Sequence, residues 1–256
     1  MTKSNVRHAL KKTVALAMAG WLMAQGNLAL AAPAMPTSWE VSGEFDYLTP
    51  PVMAATVGMS VWRYGWRSGF TNPSTAPNMM LGSVTPSPLS HRGWQKTPGT
   101  DLPMVAQNSY MTPQTYIPYA PITIPARGMQ LHPGYACETA VVRFIAPYPA
   151  QYRVSGQFYG LDNNASGTKT TNRVIASTQT FPNPPPLHLG SVNMPNAGQS
   201  SFSSKLVMLP AGGTLDFEVG CGAGGNYFFG STGLHAVIEK TSVEYCEWNG
   251  LGDTPC

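Results

Sequence analysis

The sequence predicts an all-β protein that folds as a two-sheet antiparallel sandwich. Of its 256 residues, 24 are proline and 26 are glycine, which disfavours a helical bundle. From residue 139 onward, short runs of alternating apolar residues are separated by turn residues, as is typical of neighbouring strands. Several strands at such regular spacing indicate a sandwich.

Eight segments fit strands, and prolines or glycines such as those of Pro210–Gly213 separate several of them. In chain order, the predicted strands are Trp39–Tyr47, Val57–Arg67, Ala140–Ile145, Tyr152–Phe158, Thr170–Ser177, Ser201–Leu209, Thr214–Gly220 and Leu234–Val243.

A proline-rich segment, residues 71–130, separates the second predicted strand from the third. It contains ten prolines and little periodicity, so it is expected to be an irregular surface segment. Long irregular segments in compact domains commonly bind something, which places function in or beside this one. No internal repeat or low-complexity linker interrupts residues 32–256, which are predicted to form one domain.

Residues 1–31 are predicted to be a signal peptide. Basic residues precede the apolar run Val14–Met23, and the segment ends in the small residues Ala29 and Ala31. The basic residues are Lys3, Arg7, Lys11 and Lys12. The apolar run is too short to span a membrane stably, so the mature protein is expected to be secreted or periplasmic, without a transmembrane segment.

The predicted mature chain is nearly neutral, with 11 basic and 12 acidic residues and a formal charge of −1. It carries no cluster of lysine and arginine of the kind that contacts a phosphate backbone, which argues against nucleic-acid binding. A neutral ligand suits this composition better than an ionic one.

Four cysteines, Cys137, Cys221, Cys246 and Cys256, predict two disulfides in an exported protein. Three pairings are open. Proximity favours Cys246 with Cys256, which would close a C-terminal tail of residues 244–256 and leave Cys137 to pair with Cys221.

Eight short motifs stand in order across residues 57–238: Val61–Trp66, Gly93–Trp94, Pro103–Asn108, Leu131–Gly134, Val141–Pro147, Tyr152–Phe158, Leu215–Gly220 and Ser231–Leu234. In order and spacing they resemble an uncharacterised family of exported bacterial proteins, many of which carry PEP-CTERM-type sorting tails. The resemblance implies a jelly-roll-like sandwich similar to carbohydrate-binding modules, and it implies no known activity. The sequence after Cys246 does not match a PEP-type tail, which argues against surface anchoring by that route.

Three aromatic residues, Trp62, Tyr64 and Trp66, alternate along a predicted strand and therefore share one face. Large inward residues at this period are what the core of a sandwich needs. The alternative is a row of rings that stacks on sugars, because the C–H face of a pyranose is apolar.

Further aromatic candidates are Trp94, in the proline-rich segment, and Tyr227 and Phe228, in a glycine-rich loop. Aromatic residues in loops are less often needed for core packing, so these three are the better ligand-binding candidates. They could instead fold back as covers over the ends of the sandwich.

Two carboxylates, Asp216 and Glu218, share a strand face, as a glycosidase pair could. Their ordinary interpretation is a solvent-facing pair, because Leu215, Phe217 and Val219 take the inward positions. The histidines show no metal-binding spacing, and no serine-hydrolase motif is present, so no catalytic residue is assigned.

The sequence predicts no cofactor, with a structural Ca²⁺ ion as the one alternative. Asp162, Asn163, Asn164 and the loop Gly222–Thr232 could supply its oxygen ligands, but turns are the favoured interpretation of these residues.

The sequence therefore predicts a secreted, non-catalytic protein that binds glycan or another surface polymer through exposed aromatic residues. The alternative is a structural or adhesive protein that contacts other proteins through its proline-rich segment and sheet edges. A glycan-cleaving enzyme is the third hypothesis.

Overall fold

The computed structural model describes residues 36–46, 60–70, 77–80, 82–83, 91–97, 102–116, 121–163, 170–177, 185–193 and 198–241. The chain divides into two units, residues 1–36 and 37–256, and every described residue except Pro36 belongs to the second. The described residues include no helix that is long and apolar enough to cross a membrane.

The described residues form β-strands. In chain order these are β1 (Ser38–Glu40), β2 (Trp62–Arg67), β3 (Asn78–Met79), β4 (Gly82–Ser83), β5 (His91–Gln95), β6 (Met104–Asn108), β7 (Gln114–Tyr116), β8 (Ile122–Ile124), β9 (Met129–His132), β10 (Thr139–Ile145), β11 (Ala150–Gly160), β12 (Thr170–Ser177), β13 (His188–Val192), β14 (Gln199–Leu209), β15 (Thr214–Cys221) and β16 (Thr232–Lys240).

Two antiparallel sheets build the sandwich, as predicted. The front sheet has the order β14-β11-β16-β9-β6-β5-β4, with β1 also pairing to β16, and the back sheet has the order β13-β12-β15-β10-β2-β3. Strands β7 and β8 form a separate hairpin. From β9 to β12 and from β13 to β16, consecutive strands alternate between the sheets, which gives the fold its jelly-roll-like character.

The core lies between the sheets and consists largely of the apolar residues that alternation assigned to the inner faces. Rings from the two sheets meet there: Phe144 of β10 lies 5.7 Å from Tyr152 of β11, between ring centroids. Phe217 of β15 lies 5.8 Å from Phe202 of β14. Aromatic contacts of this kind contribute roughly 0.5–1.5 kcal/mol each beyond area burial.

All eight predicted strands overlap observed ones, and β12 has the predicted bounds. The interpretation of residues 71–130 as irregular is corrected: this segment contributes β3 to β8 and the start of β9, and it places Trp94, Val105 and Met129 in the core. Its strands are only two to five residues long and are interrupted by prolines, so no window is long enough to show a period of two. The prediction also omitted β13.

One disulfide joins Cys137, before β10, to Cys221 at the end of β15, with a Cα–Cα distance of 5.3 Å. This confirms half of the favoured pairing. Cys246, Cys256, the predicted tail and the predicted signal peptide lie outside the described residues, and so does Asn164.

Candidate functional site at the disulfide end of the sandwich

Two loops meet at one end of the sandwich. Residues 133–138 connect β9 to β10, and residues 222–231 connect β15 to β16. Each loop runs from one sheet to the other, and the Cys137–Cys221 disulfide ties the first loop to the root of the second. The loops are therefore held together by a covalent link as well as by the sheets.

Three aromatic side chains, Tyr135, Tyr227 and Phe228, form what we call the aromatic cluster on these loops. The rings of Tyr135 and Tyr227 meet edge to face with centroids 4.8 Å apart. The rings of Tyr227 and Phe228 stack with centroids 4.4 Å apart and an interplanar angle of 29°. Tyr135 is 55% exposed and Phe228 is 56% exposed, so the cluster is ordered by its own contacts while its surface faces solvent.

Backbone contacts fix the loop that carries Tyr227 and Phe228. Gly225 has a φ of +64°, a conformation that favours glycine, and its N–H donates to the Gly222 carbonyl at 2.9 Å. The Gly225 carbonyl oxygen lies 3.4 Å from Cys137 Sγ. The Phe228 N–H donates to Asn226 Oδ1 at 3.2 Å. The rings are thus presented by a turn that is already in place before any ligand arrives.

A charged pair joins the loop of Tyr135 to the end of β5, because Glu138 lies on that loop and Lys96 follows β5. Lys96 Nζ is 2.7 Å from Glu138 Oε1 and 4.3 Å from the centroid of the half-buried Trp66 ring. Glu138 Oε2 accepts the Ala136 N–H at 2.9 Å. Burial alone would raise the pKa of Glu138, but the hydrogen bonds from Lys96 and the backbone outweigh it, and the pKa lies below its ordinary value.

This arrangement offers exposed ring faces and hydrogen-bonding groups that a ligand can contact. Exposed ring faces can pack against the apolar C–H face of a sugar or another planar apolar group, and tyrosine hydroxyls can hydrogen-bond at the rim. Because the rings are already stacked, little side-chain freedom has to be lost when a ligand binds.

Two of the aromatic residues predicted from strand alternation, Trp62 and Tyr64, are buried at 2% and 3% exposure. Trp62 packs on Phe144, with centroids 5.4 Å apart, and Tyr64 packs on Phe45 at 4.7 Å. Core packing, the favoured interpretation of both residues, therefore holds, and their alternative assignment as ligand-binding residues is corrected, because almost no ring surface is left for a ligand.

Trp94 is corrected in the same way. It lies in strand β5 rather than in a loop, is only 4% exposed, and donates its indole N–H to the Asp46 carbonyl at 2.9 Å. Of the residues predicted to bind, only Tyr227, Phe228 and the half-buried Trp66 retain some exposure. Sequence reasoning missed Tyr135, although its position two residues before Cys137 was a usable signal, since a Cys137–Cys221 bridge brings it to the glycine-rich loop.

Asp216 and Glu218 share the outer face of the back sheet, as predicted, but they are fully buried, so the solvent-facing interpretation is wrong. Arg143 binds Asp216 through two hydrogen bonds of 2.6 and 2.8 Å. Arg67 reaches both acids, at 2.6 Å to Asp216 and 2.9 Å to Glu218, and Arg173 also binds Glu218. Both carboxylates are engaged in an arginine network that braces the sheet.

The calcium hypothesis centred on Asp162, which is buried next to the second loop. Its Oδ2 accepts the Ser231 N–H at 2.7 Å, and burial raises its pKa to about 6 although both hydrogen bonds from Ser231 oppose the shift. Among the described residues, no three His, Cys, Asp or Glu side chains gather into a candidate metal site.

No protein-family model and no curated protein matches the chain. Among solved structures, it is similar to a GH26-CBM35 β-(1,4)-mannanase from Podospora anserina, with 9% identity over 72% of this chain and 29% of that chain and a TM-score of 0.27. It is similar to the enzymatically active domain of tailspike protein 4 from bacteriophage CBA120, with 12% identity over 71% of this chain and 20% of that one and a TM-score of 0.26.

A third likeness is to the K3 cleaved adhesin domain of Lys-gingipain from Porphyromonas gingivalis, with 14% identity over 71% of this chain and 93% of that one and a TM-score of 0.28. The chain spans less than a third of the length of the mannanase and tailspike chains. At these TM-scores the likenesses carry no argument about its ligand.

Proposed function

We propose that this is a non-catalytic, exported binding protein that recognises glycan through the aromatic cluster. The observation that carries the proposal is that Tyr135 and Phe228 stay more than half exposed although both rings are fixed by contacts to Tyr227. Exposed apolar rings that are held rigid on loops are typical of recognition surfaces.

The contacts of the cluster favour a sugar over an extended apolar ligand. Three rings offer a small platform on which the face of a pyranose ring can stack. The polar groups beside it, among them the Lys96–Glu138 pair, can exchange hydrogen bonds with hydroxyl groups.

The test is binding of the protein to a glycan array and to insoluble polysaccharides, compared with Phe228→Ala and Tyr135→Ala. Loss of one stacking ring is expected to weaken binding about tenfold, which corresponds to about 1.4 kcal/mol. Leu189→Ala is the matched control, because it removes an exposed apolar side chain from β13, outside the cluster. Absence of any glycan signal, or equal weakening by the control, overturns the proposal.

A second candidate function is protein–protein contact at the sheet edges. Leu189 on β13 and Leu206 on β14 are 65% and 53% exposed, and these strands stand at the ends of the described strand orders of the back and front sheets. An edge strand can pair with a strand of another chain, and exposed leucines on it can pack against that chain. Capture of a protein partner that is lost in Leu206→Arg and kept in Phe228→Ala would favour this function.

A further inference from the structure

Three buried polar side chains meet at the foot of the loop that carries Tyr227 and Phe228. Gln130 of β9 is 2% exposed, and Ser231, the last residue of that loop, is fully buried. Asp162, which follows β11, is also 2% exposed. The proposed glycan site uses none of these groups, which combine an amide, a hydroxyl and a carboxylate.

A chain of hydrogen bonds joins the three side chains. Gln130 Nε2 donates to Ser231 Oγ at 3.0 Å. The Ser231 hydroxyl in turn donates to the Asp162 carboxylate, whose Oδ2 also accepts the Ser231 N–H at 2.7 Å. The serine oxygen is therefore in contact with an amide on one side and with a proton acceptor on the other.

The amide carbon of Gln130 lies close to the serine oxygen. Cδ is one bond of about 1.33 Å from Nε2, so it lies no more than about 4.3 Å from Ser231 Oγ. Reacting atoms in a near-attack arrangement are roughly 3–3.5 Å apart, so an approach of less than about 1 Å is enough. Within the described residues, Gln130 Oε1 accepts no hydrogen bond that would hold the amide away from this position.

The β7–β8 hairpin covers the site and separates it from water. Ile122 of β8 forms a β-bridge with Asp162, and the Thr123 N–H donates to the Leu161 carbonyl at 3.3 Å. Ile124 and Leu161 pack together beside it as a small, fully buried apolar cluster. Burial raises the pKa of Asp162 to about 6, so at neutral pH its carboxylate is ionised and still basic enough to accept a proton.

We propose that the folded protein joins Gln130 to Ser231 by an ester bond that it forms without another enzyme. Ser231 Oγ bonds to Gln130 Cδ while the hydroxyl proton passes to Asp162. The Cδ–Nε2 bond then breaks as this proton moves to the departing nitrogen. The products are one ester and one ammonia molecule, Asp162 returns to its carboxylate form, and nothing is oxidised or reduced.

The reaction happens once in each molecule, so it does not need to be fast. Well-oriented intramolecular groups react as if present at about 10⁵–10⁸ M, which is the acceleration that this contact can supply. Escape of ammonia into the solvent drives the reaction forward. The ester is then protected from hydrolysis, because the burial that surrounds the three side chains also excludes water.

The ester adds a second covalent link at the end of the sandwich that carries the aromatic cluster. Gln130 pairs with Gly233 of β16, two residues after Ser231, so the bond joins neighbours that the sheet already holds in register. The Cys137–Cys221 disulfide is the other link at this end. The bond forms with or without a glycan, so the inference does not rest on the proposed function.

The experiment is mass spectrometry of the full-length protein and of its tryptic digest. Gln130 and Cys137 lie on peptide 128–143, and Ser231 and Cys221 lie on peptide 206–240, so the disulfide is first reduced and alkylated. The two peptides are expected to stay joined, with a mass that is lower than their sum by one ammonia. Alkaline hydroxylamine, which splits esters, should separate them.

Ser231→Ala and Asp162→Asn should each remove the joined peptide, and circular dichroism shows whether each variant is folded. Thr232→Val is the matched control, because it removes the neighbouring buried hydroxyl, which contacts Thr170 Oγ1 at 2.9 Å instead of an amide. This control should keep the joined peptide.

The wild-type protein decides the question even where a variant does not fold. Separate, unmodified peptides from the folded wild type after reduction would overturn the inference. A joined peptide that resists hydroxylamine, or one that persists in Ser231→Ala or in folded Asp162→Asn, would overturn it as well.

Discussion

The outer faces of the two sheets carry similar charged residues in different surroundings. On the back sheet, Arg67 and Asp216 lie 2.6 Å apart at 2% and 1% side-chain exposure. On the front sheet, Arg153 and Glu239 lie 3.8 Å apart and are half exposed. Arginine and acidic side chains thus form a buried, hydrogen-bonded network on the back sheet and an exposed pair without a hydrogen bond between them on the front sheet.

The difference lies in what surrounds each pair. On the back sheet, three arginines flank two acids across four strands, and the Phe70 ring lies over Arg173, with the guanidinium carbon 5.0 Å from its centroid. Planar guanidinium groups can bind a carboxylate through two hydrogen bonds and tolerate burial. The front face offers Arg153 a single acid and open solvent, so its charge stays largely hydrated.

This contrast separates a buried network that supports the sheet from an exposed pair that does not. The back-sheet network braces β2, β10, β12 and β15, and β15 ends at Cys221, the anchor of the aromatic cluster. Buried charges are costly to disturb, whereas half-exposed charges can change partner at little cost. The following substitutions test how far the contrast extends.

The largest effect is expected for Arg67→Met. It leaves Asp216 and Glu218 buried with one arginine each, so the free energy of unfolding should fall by about 3–5 kcal/mol. Arg153→Met on the front face is the control and should change it by less than about 0.5 kcal/mol. Urea denaturation of both variants measures this. Equal losses of unfolding free energy in the two variants would show that the buried and the exposed arginine contribute alike to stability.

A buried acid without an arginine should behave differently again. In the folded protein, burial raises the pKa of Asp162 from 3.8 to about 6, so the fold binds this proton more tightly than the unfolded chain does. Its stabilising contribution is full below pH 4 and is lost as the pH rises through 6, an effect of about 3 kcal/mol. Asp162→Asn should remove this dependence.

The measurement for Asp162 is the difference in unfolding free energy between the wild type and Asp162→Asn at several pH values. Taking the difference matters because burial lowers the pKa of His91 and His132 to about 4, which acts with the opposite sign. Glu239→Gln serves as the control. A difference that stays constant between pH 4 and 7 would contradict the raised pKa.

The front sheet leaves no room for a side chain at Gly233. The Tyr159 ring lies on Gly233 of the neighbouring strand, and a methyl group there would lie 2.2 Å from the ring. Gly233→Ala is therefore expected to cost about 1–3 kcal/mol in urea denaturation. Gly43→Ala, whose methyl group would meet only ordinary contacts at 3.7 Å, is the control. A cost below about 0.5 kcal/mol for Gly233→Ala would mean that the ring moves freely.

The smallest effect is expected at the exposed front-face pairs. Glu239→Gln and Glu40→Gln remove the partners of Arg153 and His235, which lie 3.8 and 3.7 Å away. Each should change the free energy of unfolding, measured by thermal denaturation, by no more than about 0.5 kcal/mol. The change should shrink in high salt. A larger loss that does not depend on salt would show that the exposed front-face pairs stabilise the fold as strongly as the buried back-sheet network does.

Alternation along the strands predicted much of this fold, because a side chain on a strand must point to one face or the other. Leu215, Phe217 and Val219 face the core as predicted, and Asp216 and Glu218 face outward. The prediction failed for Trp94, because the proline-rich segment breaks its strands into pieces too short to show a period. It missed Tyr135 because that residue joins the cluster only through the fold and the disulfide.

The order of apolar and polar residues alone determined an all-β sandwich and which residues of each long strand share a face. The sequence left three cysteine pairings open, and the fold brings Cys137 to Cys221. Tertiary structure decided whether an outward residue meets solvent or another layer of side chains, and which loop residues meet. Local sequence carries the first kind of information because side-chain direction repeats every two residues. Local sequence carries little information about burial and loop contacts, because these depend on residues that are distant along the chain, as Arg67 and Asp216 show.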